Sequence, residues 1–120
     1  MSKTIFKKII DKEIPATIVY ESETVLAFKD ANPVAPVHIL VIPKKEIESV
    51  DSLSSNDFKD SDDGEILLDM FKAIKKIVAE QGIAKTGYRL VVNNGKDAQQ
   101  SVNHLHIHVI GGKFLKWPPC

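Results

Sequence analysis

Residues 100–112, Gln-Ser-Val-Asn-His-Leu-His-Ile-His-Val-Ile-Gly-Gly, constrain the fold more than any other stretch. Three of the chain's 4 histidines, His104, His106 and His108, alternate there with Leu105, Ile107 and Val109. A strand sends successive side chains to opposite faces, so the alternation predicts a half-buried β-strand. Leu105, Ile107 and Val109 would face a core, with the three imidazoles in a row on the other face. Packing alone does not ask for such a row, because the second face of a structural strand favours Thr, Val or Tyr.

The other segments supply partners for that strand. Ile5, Phe6, Ile9 and Ile10 predict a short amphipathic helix over 4–13, capped by Thr4 or Ser2 and stopped by Ile14-Pro15. Strands are expected over 17–21, 24–29, 38–43 and 88–93, with a tight turn at Ser22-Glu23, a stiff loop at 30–36 and a polar turn at 93–98. From Glu65 to Glu80, the residues Ile66, Leu67, Met70, Phe71, Ile74, Ile77 and Val78 recur at helical spacing and read as a core stripe. Asp62, Asp63 and Glu65 suit the positive end of that helix, and Gly82 suits its C-terminal cap. Residues 51–64 read as an acidic surface loop, and Lys44 and Lys45 as solvated charges. Links of roughly 2–5 residues favour antiparallel pairing. The fold class expected is α+β: a five-stranded antiparallel sheet with one long and one short helix.

Size and charge limit the partners. A chain of 120 residues supports one domain, 1–120, with a single core region to bury. Its 16 basic and 16 acidic residues leave no excess to neutralise phosphates, which argues against a nucleic acid polymer. No apolar run approaches the ~20 residues of a membrane span, and the N-terminus lacks a signal-peptide core. Cys120 is the only cysteine, so a reducing compartment is expected: the cytoplasm, with the nucleus also compatible.

Two chemistries suit alternating histidines. For zinc, His104 and His108 on a regular strand would lie roughly 13 Å apart at ~3.3 Å per residue. Two ligands of one zinc can span only about 10–11 Å, so all three cannot share an ion; two could, with His38 as a third arm. The alternative is covalent catalysis, because a neutral imidazole is a competent nucleophile toward phosphorus. Flanking histidines could then donate hydrogen bonds to phosphoryl oxygens, with the Ser101 hydroxyl nearby. Phe6 and Ile9 read equally as core or as pocket lining.

At these residues the chain resembles the histidine triad superfamily, whose signature stands here as His104-Leu105-His106-Ile107-His108-Val109-Ile110. The likeness continues through Phe6 to Ile14-Pro15-Ala16, Leu26-Ala27-Phe28, Asp30, Asn32-Pro33, Ala35-Pro36 and His38. It runs on through Val41-Ile42-Pro43-Lys44-Lys45, Val91-Val92-Asn93, Gln100-Ser101-Val102, Gly111-Gly112 and Trp117-Pro118-Pro119. The Pro-Lys-Lys segment and the Trp-Pro-Pro tail are similar to the Hint branch, the histidine triad nucleotide-binding proteins.

That resemblance implies a metal-independent hydrolase of purine nucleoside phosphoramidates or acyl-nucleotides, with no cofactor. His106 would take the nucleotide covalently, and water would release the monophosphate. His104 and Ser101 match positions that contact phosphate or the leaving group; His38 and His108 match the surrounding histidine network. Asp30, with Ala31 beside it, matches a ribose site, although Asp30 also suits a plain turn. Phe6, Ile9, Ile14, Phe28 and Leu40 match a base slot. Asn93 matches a phosphate-side contact, though it also suits a turn; the amide donors of Gln99 and Gln100 before Ser101 could face phosphate or, equally, solvent. The resemblance further implies a homodimer whose sheets join, with Trp117 reaching the partner's site or packing on its own subunit. Glu46 stands where another histidine is common, and Gln99 where a glycine is common. A dinucleoside polyphosphate hydrolase and a non-catalytic nucleotide-binding scaffold are the alternative functions.

Overall fold

Alternation of apolar side chains decides which face of each strand is buried, and in the computed structural model both faces of one sheet are covered. The structure describes residues 2–53 and 62–120. The order is α1 (Ile5–Ile10), β1 (Ile18–Glu21), β2 (Val25–Lys29), β3 (Val37–Pro43), a 3-10 turn (Val50–Ser52), α2 (Asp63–Glu80), β4 (Tyr88–Val91) and β5 (Ile107–Gly111). The strands form one antiparallel sheet in the order β1-β2-β3-β5-β4. The expected five strands and two helices are all present.

Val25, Ala27, Ile39, Val41, Ile107 and Val109 pack against Ile66, Met70, Ala73 and Ile74 of α2. Residues of opposite parity, Leu26, Phe28, Leu40 and Ile42, meet Phe6 and Ile9 of α1 on the other face. Leu40 pairs with Phe28 on β2 and with His108 on β5. Directly paired antiparallel residues share a face, so Phe28, Leu40 and His108 form a row across three strands, spanning roughly 10 Å at ~4.8 Å per strand. That row is the floor of the site.

Several boundaries differ from the sequence expectation. Helix α1 begins as expected at Thr4, whose hydroxyl accepts from the Lys7 N–H at 3.1 Å. It ends at Ile10, well before Ile14-Pro15, because Lys12 turns left-handed at φ 61°. The histidine strand starts only at Ile107, so His108 alone of the triad lies on it. Leu105, Ile107 and Val109 are buried as expected. His104 and His106 do not stand on an open face: they are 1% and 3% exposed. On α2 the stripe holds at Ile66, Met70, Ile74, Ile77 and Val78, whereas Leu67 is only partly buried and Phe71 is 51% exposed.

Lys44 and Lys45 are paired and not simply solvated. Lys44 Nζ lies 2.9 Å from Glu21, and Lys45 Nζ lies 2.7 Å from Asp62 and 2.6 Å from the buried Asp63. These two carboxylates hold the Lys45 ammonium above its ordinary value. Most of the acidic loop, 54–61, lies outside the described residues. Among the described residues, no helix is long and apolar enough to cross a membrane.

Candidate active site

A cleft of about 580 Å³ opens between α1 and the sheet. Its apolar half is lined by Phe6, Ile9, Ile14, Phe28 and Leu40, the five residues expected to form a slot. Asp30 and Ala31 stand at its rim, and Ser101, His106 and His108 close the other end. Ile5, Pro15, Thr17, Lys29 and Val102 line it as well. Nothing in one sequence flags Thr17 or Lys29: Thr17 precedes β1 and Lys29 ends β2, and their backbones are joined by the Lys29 N–H to Thr17 carbonyl bond at 3.0 Å.

The proton positions follow from the partners. His106 is buried edge-on against Phe6, ring centroids 5.0 Å apart. Its Nδ1 lies 2.7 Å from the His104 carbonyl. A carbonyl only accepts, so Nδ1 carries the proton and Nε2 keeps a free lone pair. The Val34 N–H donates to His38 Nδ1 at 3.1 Å, so the proton of a neutral His38 sits on Nε2. That Nε2–H faces His108 Nδ1 at 2.9 Å and the Asp30 carboxylate at 3.4 Å. His108 therefore accepts at Nδ1 and carries its own proton on Nε2. Among the described residues, this buried Nε2 has no protein partner.

Burial is the main reason that His108 is pushed down to about 4, with the neighbouring His106 and His38 rings acting in the same direction and Asp30 against them. Burial likewise lowers His104, opposed by the Pro43 carbonyl and by the charge of Glu46. His108 is thus a neutral donor at physiological pH, beside the His106 ring, whose Nδ1 is committed to the His104 carbonyl.

Not every expected residue reaches the cleft. His104 was expected at a phosphate or leaving group, but its ring turns inward, its Nε2 bonding the Pro43 carbonyl at 2.7 Å. His38 stands behind Asp30 and His108 and orients both. Asn93, Gln99 and Gln100 lie on the loop after β4, outside the cleft lining. The Gln100 amide is bonded to backbone groups of Gly95, Glu48 and Val102. Gln99 holds φ 57°, the left-handed region where a Cβ is strained and glycine is free. Trp117 is 77% exposed and lies under the Arg89 guanidinium, 5.7 Å from the ring centroid.

Comparisons with known proteins agree with this geometry. The HIT domain model matches residues 11–115. The "14 kDa zinc-binding protein" of Zea mays is 46% identical over 118 residues, covering 98% of this chain and 88% of that one. A crystal structure of a HIT family hydrolase from Legionella pneumophila superposes with TM-score 0.88 at 39% identity, covering 98% and 100% of the two chains. The histidine triad nucleotide-binding protein from Candida albicans superposes with TM-score 0.79 at 28% identity, covering 97% and 83%. The chain belongs to the HIT, or histidine triad, family.

Neutral His108 makes acid stability a direct readout of this site. Unfolded, it takes up a proton near pH 6.5; folded, it resists until about 4. Between those values the unfolded state binds more protons, so its contribution, complete above 6.5, is lost as pH falls. The midpoint of thermal unfolding should therefore drop from pH 6.5 to pH 4, and His108→Gln should flatten that slope. Parallel pH profiles for the two proteins would contradict the assignment.

Proposed function

We propose that the protein hydrolyses purine nucleoside phosphoramidates or acyl-nucleotides through a nucleotide carried on His106. The observation that carries this reading is the pairing of tautomers: the bare Nε2 of His106 beside the Nε2–H of His108, at one end of an apolar slot. The base would lie between Phe6, Ile9, Ile14, Phe28 and Leu40, and the ribose hydroxyls against Asp30 beside Ala31. The roughly 10 Å from Phe28 to His108 suits the length of a nucleoside.

In the first step the His106 Nε2 lone pair forms a bond to the α-phosphorus, and the bond from phosphorus to the amine or acid breaks. The leaving group departs with its electron pair and, if an amine, takes up a proton from solvent, which the Ser101 hydroxyl at that end of the cleft could relay. The His108 Nε2–H donates to a phosphoryl oxygen as its charge grows. Water then attacks the phosphorus and gives up a proton to solvent, the P–N bond breaks, and His106 regains its lone pair as the monophosphate leaves. His104 and His38 act by holding His106 and His108 in these tautomers. The hydrolase and nucleotide-binding names of the structural relatives support the class.

The maize relative's name raises zinc. Asp30, His38 and His108 are the described residues whose donor atoms lie within 4.8 Å of one another. They do not fit a resident ion, because the Val34 N–H occupies His38 Nδ1 and leaves the ring's proton on Nε2, where a metal would need the lone pair. We therefore assign turnover to His106 without a metal.

A homodimer completes the reading. Strand β4 is an edge of the sheet, and Tyr88, Leu90 and Val92 near it are exposed apolar residues, as are Leu68 and Phe71 on α2. Two β4 edges pairing antiparallel would satisfy the free backbone groups and bring Trp117 toward the partner's cleft.

Rapid quenching of turnover followed by intact mass measurement should reveal one nucleotide adduct, present with excess chelator and absent in His106→Ala. No adduct in the native protein, or loss of rate with chelator, would overturn the reading. Sedimentation at micromolar concentration should give twice the chain mass, and Leu90→Lys should shift it to one; a native monomer would remove the dimer.

A further inference from the structure

The loop that carries Ser101 runs from β4 to the cleft, its far end packed through Val102 and Leu105. Between those points a line of bonds ties it to residues 43–51. His104 Nε2 bonds the Pro43 carbonyl at 2.7 Å, the Leu105 N–H the Ile47 carbonyl at 2.7 Å, and Gln100 Nε2 the Glu48 carbonyl at 2.7 Å. Further along, the Val50 N–H donates to Asn94 Oδ1 at 2.7 Å, and Asn94 Nδ2 to Asp51 at 3.2 Å.

Gln100 is the centre of this line. Its Oε1 accepts from the Gly95 N–H at 2.9 Å, and its second Nε2 hydrogen goes to the Val102 carbonyl at 3.1 Å. Both hydrogens and the oxygen are therefore engaged, all with backbone. The amide closes the turn at Gly95, clamps it to Glu48, and pins Val102. Ser101 stands between the clamped residue and the pinned one, and both Ser101 and Val102 line the cleft. An amide so engaged has no hydrogen left for a phosphate oxygen without breaking one of these bonds.

We propose that Gln100 is a positioning residue that sets Ser101 and Val102 at the reacting end of the cleft without touching the nucleotide. The proposal rests on the hydrolase reading above. A group that binds phosphate directly would contribute to ground-state affinity; one that aims Ser101 acts on the chemical step, where a misplacement of about 1 Å costs up to 10²-fold in rate.

The test compares native protein, Gln100→Ala and Gln100→Glu. The glutamate keeps an acceptor for Gly95 but sets a carboxylate against the Glu48 and Val102 carbonyls. With adenosine 5′-phosphoramidate, kcat should fall ~10–100-fold in both variants, while AMP affinity by calorimetry changes less than twofold. Amide hydrogen exchange over 94–103 should accelerate in both. If Gln100→Ala does not fold, Asn94→Ala, which breaks the same line farther from the cleft, should give the same loss of kcat with AMP binding kept. A tenfold loss of AMP affinity would make Gln100 a ligand contact and overturn the proposal. Unchanged kcat in folded variants would overturn it too, even if their melting temperatures fall. Absence of turnover in the native protein would instead sink the hydrolase reading, and unchanged exchange over 94–103 would still reject the clamp.

Discussion

The hydrogen bond from His106 Nδ1 to the carbonyl of His104, 2.7 Å long, governs what the cleft can do. Burying an imidazole without a partner is costly, and this bond satisfies one nitrogen with the chain's own backbone two residues back. It also decides where the ring's proton sits, and so which nitrogen is left as a lone pair. The rest of the polar network repeats the logic. A backbone N–H at Val34 fixes His38, His38 fixes His108, and each ring passes its proton-bearing side onward. Backbone groups are cheaper anchors than side chains here, because the sheet and the loops already hold them in place.

The sheet provides the complementary half. Its parity sends one set of apolar side chains to α2 and the other to α1, and the second set continues without a break from Phe28 through Leu40 to His108. Apolar slot and imidazole end are thus neighbours by strand register, not by loop placement. A shift of one residue in the pairing of β5 would swap His108 for an apolar neighbour and dismantle the site. The Lys45 pair with Asp62 and buried Asp63 ties the segment after β3 to the start of α2, so the backbone that receives His104, Leu105 and Gln100 is itself anchored.

Much of this was legible in the sequence, where a local pattern sufficed. The spacing of Ile66, Met70, Ile74 and Ile77 marks α2, and the alternation of Ile107 and Val109 marks β5. The family resemblance, not a local pattern, brought forward the five apolar slot residues with Asp30, Ala31, Ser101, His106 and His108, and all ten line one cleft. What was not legible depends on distant partners. His104 reads as one of three equivalent histidines, and only the Pro43 carbonyl, 61 positions away, turns its ring inward. Lys45 reads as a solvent charge until the buried Asp63 is folded against it. Lys12 takes a left-handed conformation that its side chain does not announce, so α1 stops early. Gln100 has the composition of a phosphate ligand, and its commitment to three backbone groups becomes visible only once residues 43–51 lie beside it.

The central claim is about protons on two neighbouring rings, and nitrogen-15 NMR of histidine-labelled protein at neutral pH reads them directly. The account predicts that His106 carries its proton on Nδ1 and leaves Nε2 bare, while His108 shows the reverse arrangement. A proton on Nε2 of His106 would contradict it, since that nitrogen would then have no lone pair to offer phosphorus.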